Sequence, residues 1–277
     1  MSASARDAAA RPDWAGCVHP RTTQGLRIAS LVPSLTELLF ALGLGSCVVA
    51  RTGFCVHPRD AVRRVPKVGG TKDPDLAALA ALAPTHLVVN VDENRREVVD
   101  AAREFVPQVI VTHPLGPQDN HRLFALFGAL FGREAQAAAL GAALDDALAE
   151  CAAFARSVPR ESVLYLIWKG PWMTVARDTY IAAALAHAGW DTLPASAELR
   201  YPPLAEDDAA WRAADRILVA SEPYAFRERD AVALAQRHGK PALRIDAEMT
   251  SWYGPRAIAG FRYLAQLRRS LAAAPRE

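Results

Sequence analysis

Short apolar runs and amphipathic stretches alternate along most of the chain. "RIASLVP" (27–33) reads as a buried strand and "SLTELLFALGLG" after it as a helix. Ser34 and Glu37 have the spacing of a capping box, and Gly43 is placed to end that helix. A strand follows in "SCVVA" (46–50). Asp73 and Pro74 then have the form of an N-cap and first helical residue for "DPDLAALAALA". "HLVVNV" (86–91) predicts a strand, "ENRREVVDAAREF" a helix and "QVIVTH" (108–113) a strand.

The second half repeats this order. Strands are predicted at "SVLYLIW" (162–168), "DTLP", "RILVAS" (216–221) and "PALRID" (241–246). Helices are predicted at "TYIAAALAHAG" (179–189), "LAEDDAAWRAA" and "ERDAVALAQRHG". Equivalent strands in the two halves begin roughly 130 residues apart. Between the halves, "REAQAAALGAALDDALAECAAFARS" (133–157) is rich in alanine, leucine and acidic residues, a helix-forming composition. About 23 residues at ~1.5 Å each make a rod of roughly 35 Å.

The pattern therefore predicts an α/β fold of two Rossmann-like lobes, each with a mostly parallel sheet, joined by a single long α-helix. The expected divisions are a flexible N-terminal tail (1–26), an N-terminal lobe (27–118), a helical connector (119–157) and a C-terminal lobe (158–277). A single larger sheet with 133–157 as a surface crossover is the other reading.

Composition narrows the function classes. The 277 residues carry a formal charge of +2, so no basic face for nucleic acid is expected. No window reaches the roughly 18 unbroken apolar residues of a membrane span. Four scattered cysteines fit a reducing compartment. Ala15-Gly16-Cys17 looks like a lipoprotein cleavage box, but Arg6, Asp7, Arg11 and Asp13 interrupt the apolar core that an export signal needs. A cytoplasmic location is the resulting expectation.

Ligands in open α/β sheets gather beyond the carboxyl ends of the strands, so two facing lobes would share a cleft there. The post-strand segments "TGFCVHP" (52–58), "WKGPWMTV" (168–175), "ELRYPPL" (198–204), "SEPYAFRERD" (221–230) and "EMTSWYGPRA" (248–257) are unusually aromatic for loops. An aromatic-lined cleft for a large apolar guest is expected. "CVHPR" occurs at 17–21 and 55–59. Cys55, His57 and His113 are weak metal-ligand candidates, since a complete site needs three or four donors. Gly43-Leu44-Gly45 lacks the third glycine of a dinucleotide fingerprint. "GGTKDPD" fails the phosphate-loop pattern, and there is no G-x-S-x-G elbow. Glu93, Glu222, Asp246 and Glu248 are possible general acids or bases without diagnostic spacing.

"RIASLVPSLTELLFALGLG", "VPKVGGTKDPDLAALAALAPTHLVV", "YLIWKGPWMTVARDTYI" and "SWYGPR" resemble the cobalamin-binding branch of the helical-backbone (class III, TroA-like) substrate-binding proteins. The likeness runs from about residue 27 to 270. It implies a non-catalytic binding protein for a corrinoid, cobalamin above all, or a similar metal chelate. That guest is a ligand, and no resident cofactor is implied. Phe54, Trp168 and Tyr201 are implied as aromatic walls, with Trp172, Trp252 and Tyr253 nearby. Glu248 and Arg256 are implied as polar partners for corrin amides. The importer members of the family dock on an ABC permease through one glutamate per lobe. The aligned residues here are Ala77 and Asp207, which places that partnership in question. Two other readings stay open: a cytoplasmic enzyme or chaperone acting on a corrinoid in the same cleft, and a metal-ion receptor.

Overall fold

A computed structural model describes residues 12–196 and 198–273. They divide into two compact units, one of residues up to 114 plus 118–142, the other of 115–117 and 143 onward.

In the first unit, strand β1 (Ile28–Ser30) leads to helix α1 (Pro33–Ala41), then β2 (Val48–Arg51), the short α2 (Arg59–Val62) and α3 (Leu76–Ala81). Next come β3 (His86–Asn90), α4 (Arg96–Ala102), β4 (Gln108–Thr112), α5 (Asp119–Phe131) and the start of α6 (Glu134–Ala155). The four strands form one all-parallel sheet in the order β2-β1-β3-β4. Every residue of β3 is buried, as expected of a strand covered on both faces. Ala29, Leu31, Leu87, Val89, Val109 and Val111 pack there with Leu79 and Val99 from the covering helices.

The second unit repeats the plan with the end of α6, β5 (Glu161–Leu166), β6 (Trp172–Met173), α7 (Tyr180–His187), β7 (Trp190–Thr192) and β8 (Pro203–Leu204). It continues through α8 (Ala209–Ala213), β9 (Arg216–Ala220), α9 (Glu228–His238), β10 (Ala242–Ile245), α10 (Ala247–Ser251) and α11 (Arg256–Ala273). Its main sheet is again all parallel, in the order β10-β9-β5-β7. In each unit, then, the first strand lies between the second and the third. β6 and β8 add a two-stranded antiparallel ribbon that the apolar pattern does not signal.

Three local expectations need correction. Ser34 does not cap α1: Val32 occupies the N-cap, Pro33 opens the helix, and the Ser34 hydroxyl is buried without a hydrogen-bond partner. Asp75, not Asp73, caps α3 by accepting from Ala78 N, because residues 69–74 first make a turn in which Gly69 bridges Pro74. The helix expected at 133–157 is α6 (Glu134–Ala155), and the earlier part of the connector 119–157 is the separate helix α5. α5 ends at Gly132 in the left-handed conformation (φ 64°), and its faces carrying Leu123, Phe124, Phe127 and Phe131 are buried. The division between the units falls inside α6, between Ala142 and Ala143.

The third correction concerns the N-terminal tail. Residues 1–11 lie outside the described residues, but 12–26 are fastened to the first unit. Trp14 N donates to Val111 O (3.0 Å) and Val111 N donates to Asp13 Oδ2 (3.0 Å), covering the open edge of β4. Asp13 also accepts from Ala15 N and Cys17 N (both 2.9 Å) and pairs with His19 Nε2 (3.1 Å). Arg122 lies 4.0 Å from the centre of the Trp14 ring. Arg21 pairs with Glu134, and Thr22 N donates to Leu130 O (2.8 Å). A polar segment without periodicity is thus held by tertiary hydrogen bonds.

Candidate functional site

In a sheet where the first strand lies between the second and third, the crevice for a ligand opens at the carboxyl ends of the first and third strands. Each unit presents exposed apolar side chains at or beside that place.

In the first unit the loop after β2 is built around a buried arginine. Arg51 Nε donates to Val62 O (2.8 Å) and Val65 O (3.2 Å), and its Nη1 donates to Thr52 O (3.1 Å) and Cys55 O (3.0 Å). Phe54 N donates to the Thr52 hydroxyl, and Gly53 N to Gly69 O (2.7 Å). Cys55 turns inward: its sulfur takes the Thr36 hydroxyl at 3.1 Å and lies 3.2 Å from Thr52 Oγ1. With both its neighbours pinned, Phe54 projects outward and is 63% exposed. Val91, leaving β3, is exposed as well. The loop behind it is tied by Asn94, which accepts from Asn90 N (2.9 Å) and donates to Thr71 O (2.9 Å).

The same geometry revises the metal candidates. Cys55 is fully buried, and that burial pushes its thiol upward, away from the thiolate that a metal requires. His113 Nε2 lies 3.4 Å from Asp92 Oδ1, and the loop places His57 before a cis bond to Pro58. Among the described residues no group of three or more His, Cys, Asp or Glu is arranged to hold a metal ion. The first "CVHPR" contributes His19 to the Asp13 clasp rather than a ligand.

In the second unit, the segment after β5 doubles back at Lys169-Gly170-Pro171, with Gly170 at φ 73°. Ile167 N donates to Met173 O (3.0 Å) and Met173 N to Trp168 O (3.2 Å). This tight return leaves Trp168 40% exposed, edge-on to Tyr224 from the loop after β9 (ring centres 5.6 Å, 72°). Trp168 and Tyr224 therefore come from the two strands that flank the crevice. Tyr201 is half-buried with Arg200 5.9 Å from its ring centre, and Leu199 beside it is exposed.

Other aromatics expected to face a ligand are spent internally. Trp172 stands edge-on to Trp211 (5.7 Å) and parallel to Phe226 (6.3 Å), and its Nε1 donates to Glu206 Oε1 (3.0 Å). Trp252 is buried, donates Nε1 to Glu222 Oε1 (2.8 Å) and has Arg256 5.2 Å from its ring centre. Tyr253 is buried edge-on to Tyr180. These three frame the loops. Tandem aromatics after a strand look the same in sequence whether they cap a sheet or face a guest.

Glu248 and Arg256 do meet, as an ion pair at 3.2 Å. Glu222 stands near them. Burial raises its carboxyl above the ordinary value, the Trp252 bond opposes this, and Glu248 and Asp246 add to the rise. Asp246 caps α10 by accepting from Glu248 N (3.0 Å), which is a structural duty. Glu93 sits in the loop after β3. Tyr224, the ring beside Trp168, is the aromatic that motif reading passed over. Its signal was its position after the third strand of its lobe.

A sequence model of the periplasmic binding protein family matches residues 28–240. The chain belongs to that family. Its members are non-catalytic substrate-binding proteins. Solved structures of similar fold include the periplasmic heme-binding protein RhuT from Roseiflexus sp. RS-1. It is 22% identical, with a TM-score of 0.77, over 89% of this chain and 99% of that one. The periplasmic vitamin B12-binding protein BtuF of Vibrio cholerae is 15% identical (TM-score 0.76; 90% and 98% covered). S. aureus IsdE, solved with heme, is 17% identical (TM-score 0.70; 88% and 98% covered). No curated protein matches the sequence. The family is periplasmic, so the cytoplasmic expectation finds no support. Among the described residues no helix is long and apolar enough to cross a membrane.

Proposed function

We propose that this periplasmic binding protein takes up a flat metal chelate, a corrinoid or a haem, without transforming it. The observation that carries the reading is the exposed Trp168, edge-on to the half-buried Tyr224, at the carboxyl ends of β5 and β9. A solvated indole over a concave strand-end loop costs free energy unless a guest covers it, and a flat polarisable macrocycle offers the largest matching face. Phe54 gives the first unit an exposed ring of its own. Tyr201 adds a partial wall, and the Glu248–Arg256 pair supplies polar contacts that orient the guest. Similar folds whose names record heme or vitamin B12 support the same class of ligand.

A bare metal ion as cargo is disfavoured by the internal use of Cys55. Delivery to an ABC permease fits the family. Ala77 and Asp207, aligned by resemblance with the docking glutamates, are both exposed. Ala77 offers no carboxylate for docking of that kind.

The test is an absorbance titration of the purified protein with haem, cobalamin and a ferric siderophore. One saturable site for a macrocycle is expected, with the chelate recovered unchanged. Absence of binding by all three, or turnover of any, would overturn the reading.

A further inference from the structure

The loops after β5 and β9 do more than present rings. An open depression of about 420 Å³ in the second unit is lined by Lys169, Tyr224, Ala225, Arg227, Arg229 and Asp230. Tyr224 belongs to both features, because its ring also meets Trp168. The hollow therefore begins where the aromatic pair ends.

Its charge is one-sided. Asp230 is the one acid in the lining, and it is already engaged: it accepts from Lys169 Nζ (3.0 Å) and from Arg227 N (2.9 Å). The guanidiniums of Arg227 and Arg229 are exposed, and neither has a carboxylate partner among the described residues. Three cations against one acid leave an excess positive charge on a concave wall. Guanidinium forks match the two oxygens of a carboxylate or phosphate, and a concave setting holds them partly out of water, where such bonds count for more.

We propose that this depression receives an anionic arm of the bound chelate, while the macrocycle lies against Trp168. The inference rests on the chelate-binding reading above and adds the chemistry of the guest's periphery: at least one free carboxylate or phosphate on the edge turned toward α9. A haem supplies such a group as a propionate, and a complete corrinoid supplies it as the phosphodiester of its nucleotide arm. An amide at the same place can hydrogen-bond but brings no charge to the two guanidiniums.

The experiment measures affinities of the full chain for two matched pairs: haem against its dimethyl ester, and cobalamin against cobinamide, which lacks the phosphate arm. In the pair that binds, the acid-bearing member is expected to bind about tenfold tighter than its acid-free counterpart. That preference should shrink with added salt. It should vanish in Arg227→Gln/Arg229→Gln and survive in part in Arg227→Lys/Arg229→Lys. Both residues are exposed, so the variants are expected to fold. The pair that carries the preference tells propionate from phosphodiester. Equal binding of acid-bearing and acid-free forms, or a preference that persists in the Gln variant, would overturn the anion subsite while leaving chelate binding intact. Failure of all four ligands to bind would instead overturn the chelate-binding reading, and the subsite with it.

Discussion

Replacing Asp13 by alanine should loosen the first unit far more than its place in a polar N-terminal segment suggests. The carboxylate is 1% exposed and accepts four hydrogen bonds, from Ala15 N, Cys17 N, Val111 N and His19. Truncation leaves a buried histidine without its counter-charge and three backbone donors without acceptors. Removing one partner of a buried pair costs about 3–5 kcal/mol. Water can replace some of the backbone bonds near the chain end, so a total of about 3–5 kcal/mol is the working value. Against a domain stability of roughly 5–15 kcal/mol, that loss is large. Asp13→Asn, which keeps the shape and one acceptor oxygen, should cost about 1–2 kcal/mol. Urea unfolding gives the magnitudes, and hydrogen exchange at Trp14 and Val111 shows whether the β4 edge has opened.

The pH dependence has two signs. Burial raises the Asp13 carboxyl, but hydrogen bonds from His19, Val111 and Cys17 outweigh it and leave it below the usual range. Its contribution is therefore present above about pH 4 and disappears on acidification through the lowered value. The Asp13 bond raises His19 above its ordinary value, against burial and with help from Gln108. That contribution is complete below about pH 6.5 and is lost as pH rises through the raised value. The clasp should be strongest between these limits. Above about pH 4, neighbouring His86 stays neutral, since burial and then the His19 charge pull it down to about 4. An Asp13→Ala cost under about 0.5 kcal/mol with unchanged exchange at Val111 would refute this account of the N-terminal segment.

Three further outcomes follow from the same structure. A thiol reagent should label Cys17 in the native protein and spare Cys151, whose thiol burial pushes up to about 12, and Cys55; prompt native labelling of Cys55 would contradict its threonine-held position. Gly260→Ala should lower the melting temperature of the second unit, because the new Cβ would clash with Met249 O where α11 crosses α10; an unchanged melt would contradict that approach. Glu161 holds Arg268 (2.5 Å), Arg216 (3.3 Å) and Trp190 Nε1 (2.8 Å), so Glu161→Gln should cost about 2–4 kcal/mol in urea unfolding at neutral pH. Burial raises this carboxyl but its bonds lower it overall, so the difference between Glu161 and Gln should close as pH falls below the carboxylate range.

The strands of both units were legible in the sequence because parallel strands buried on both faces leave unbroken apolar runs. "HLVVNV" and "RILVAS" are β3 and β9 within a residue or two. The repeated plan was legible for the same reason. The clasp was not, since Asp13 and His19 acquire their roles only from Val111 and Gln108, about a hundred residues away. The caps went wrong where two candidates competed: Pro33 and Val32 displaced Ser34, and the turn at Gly69–Pro74 moved the start of α3 to Asp75. At the site, composition announced the aromatic loops but could not sort them. Trp168 and Trp172 are four residues apart, yet the return at Gly170 leaves one exposed and turns the other between Trp211 and Phe226.

The most direct test of chelate binding compares the wild-type chain with Trp168→Ala in a calorimetric titration with haem and cobalamin. Trp168 exposes 40% of its surface. For a residue of roughly 250 Å² that is about 100 Å², which at about 25 cal/mol per Å² is up to about 2.5 kcal/mol, or some 70-fold in affinity. The account predicts one site on the wild type for a macrocycle and a loss of ten- to about 70-fold in Trp168→Ala, with no change in stoichiometry. Equal affinity in the two proteins, or no heat from either ligand, would contradict it.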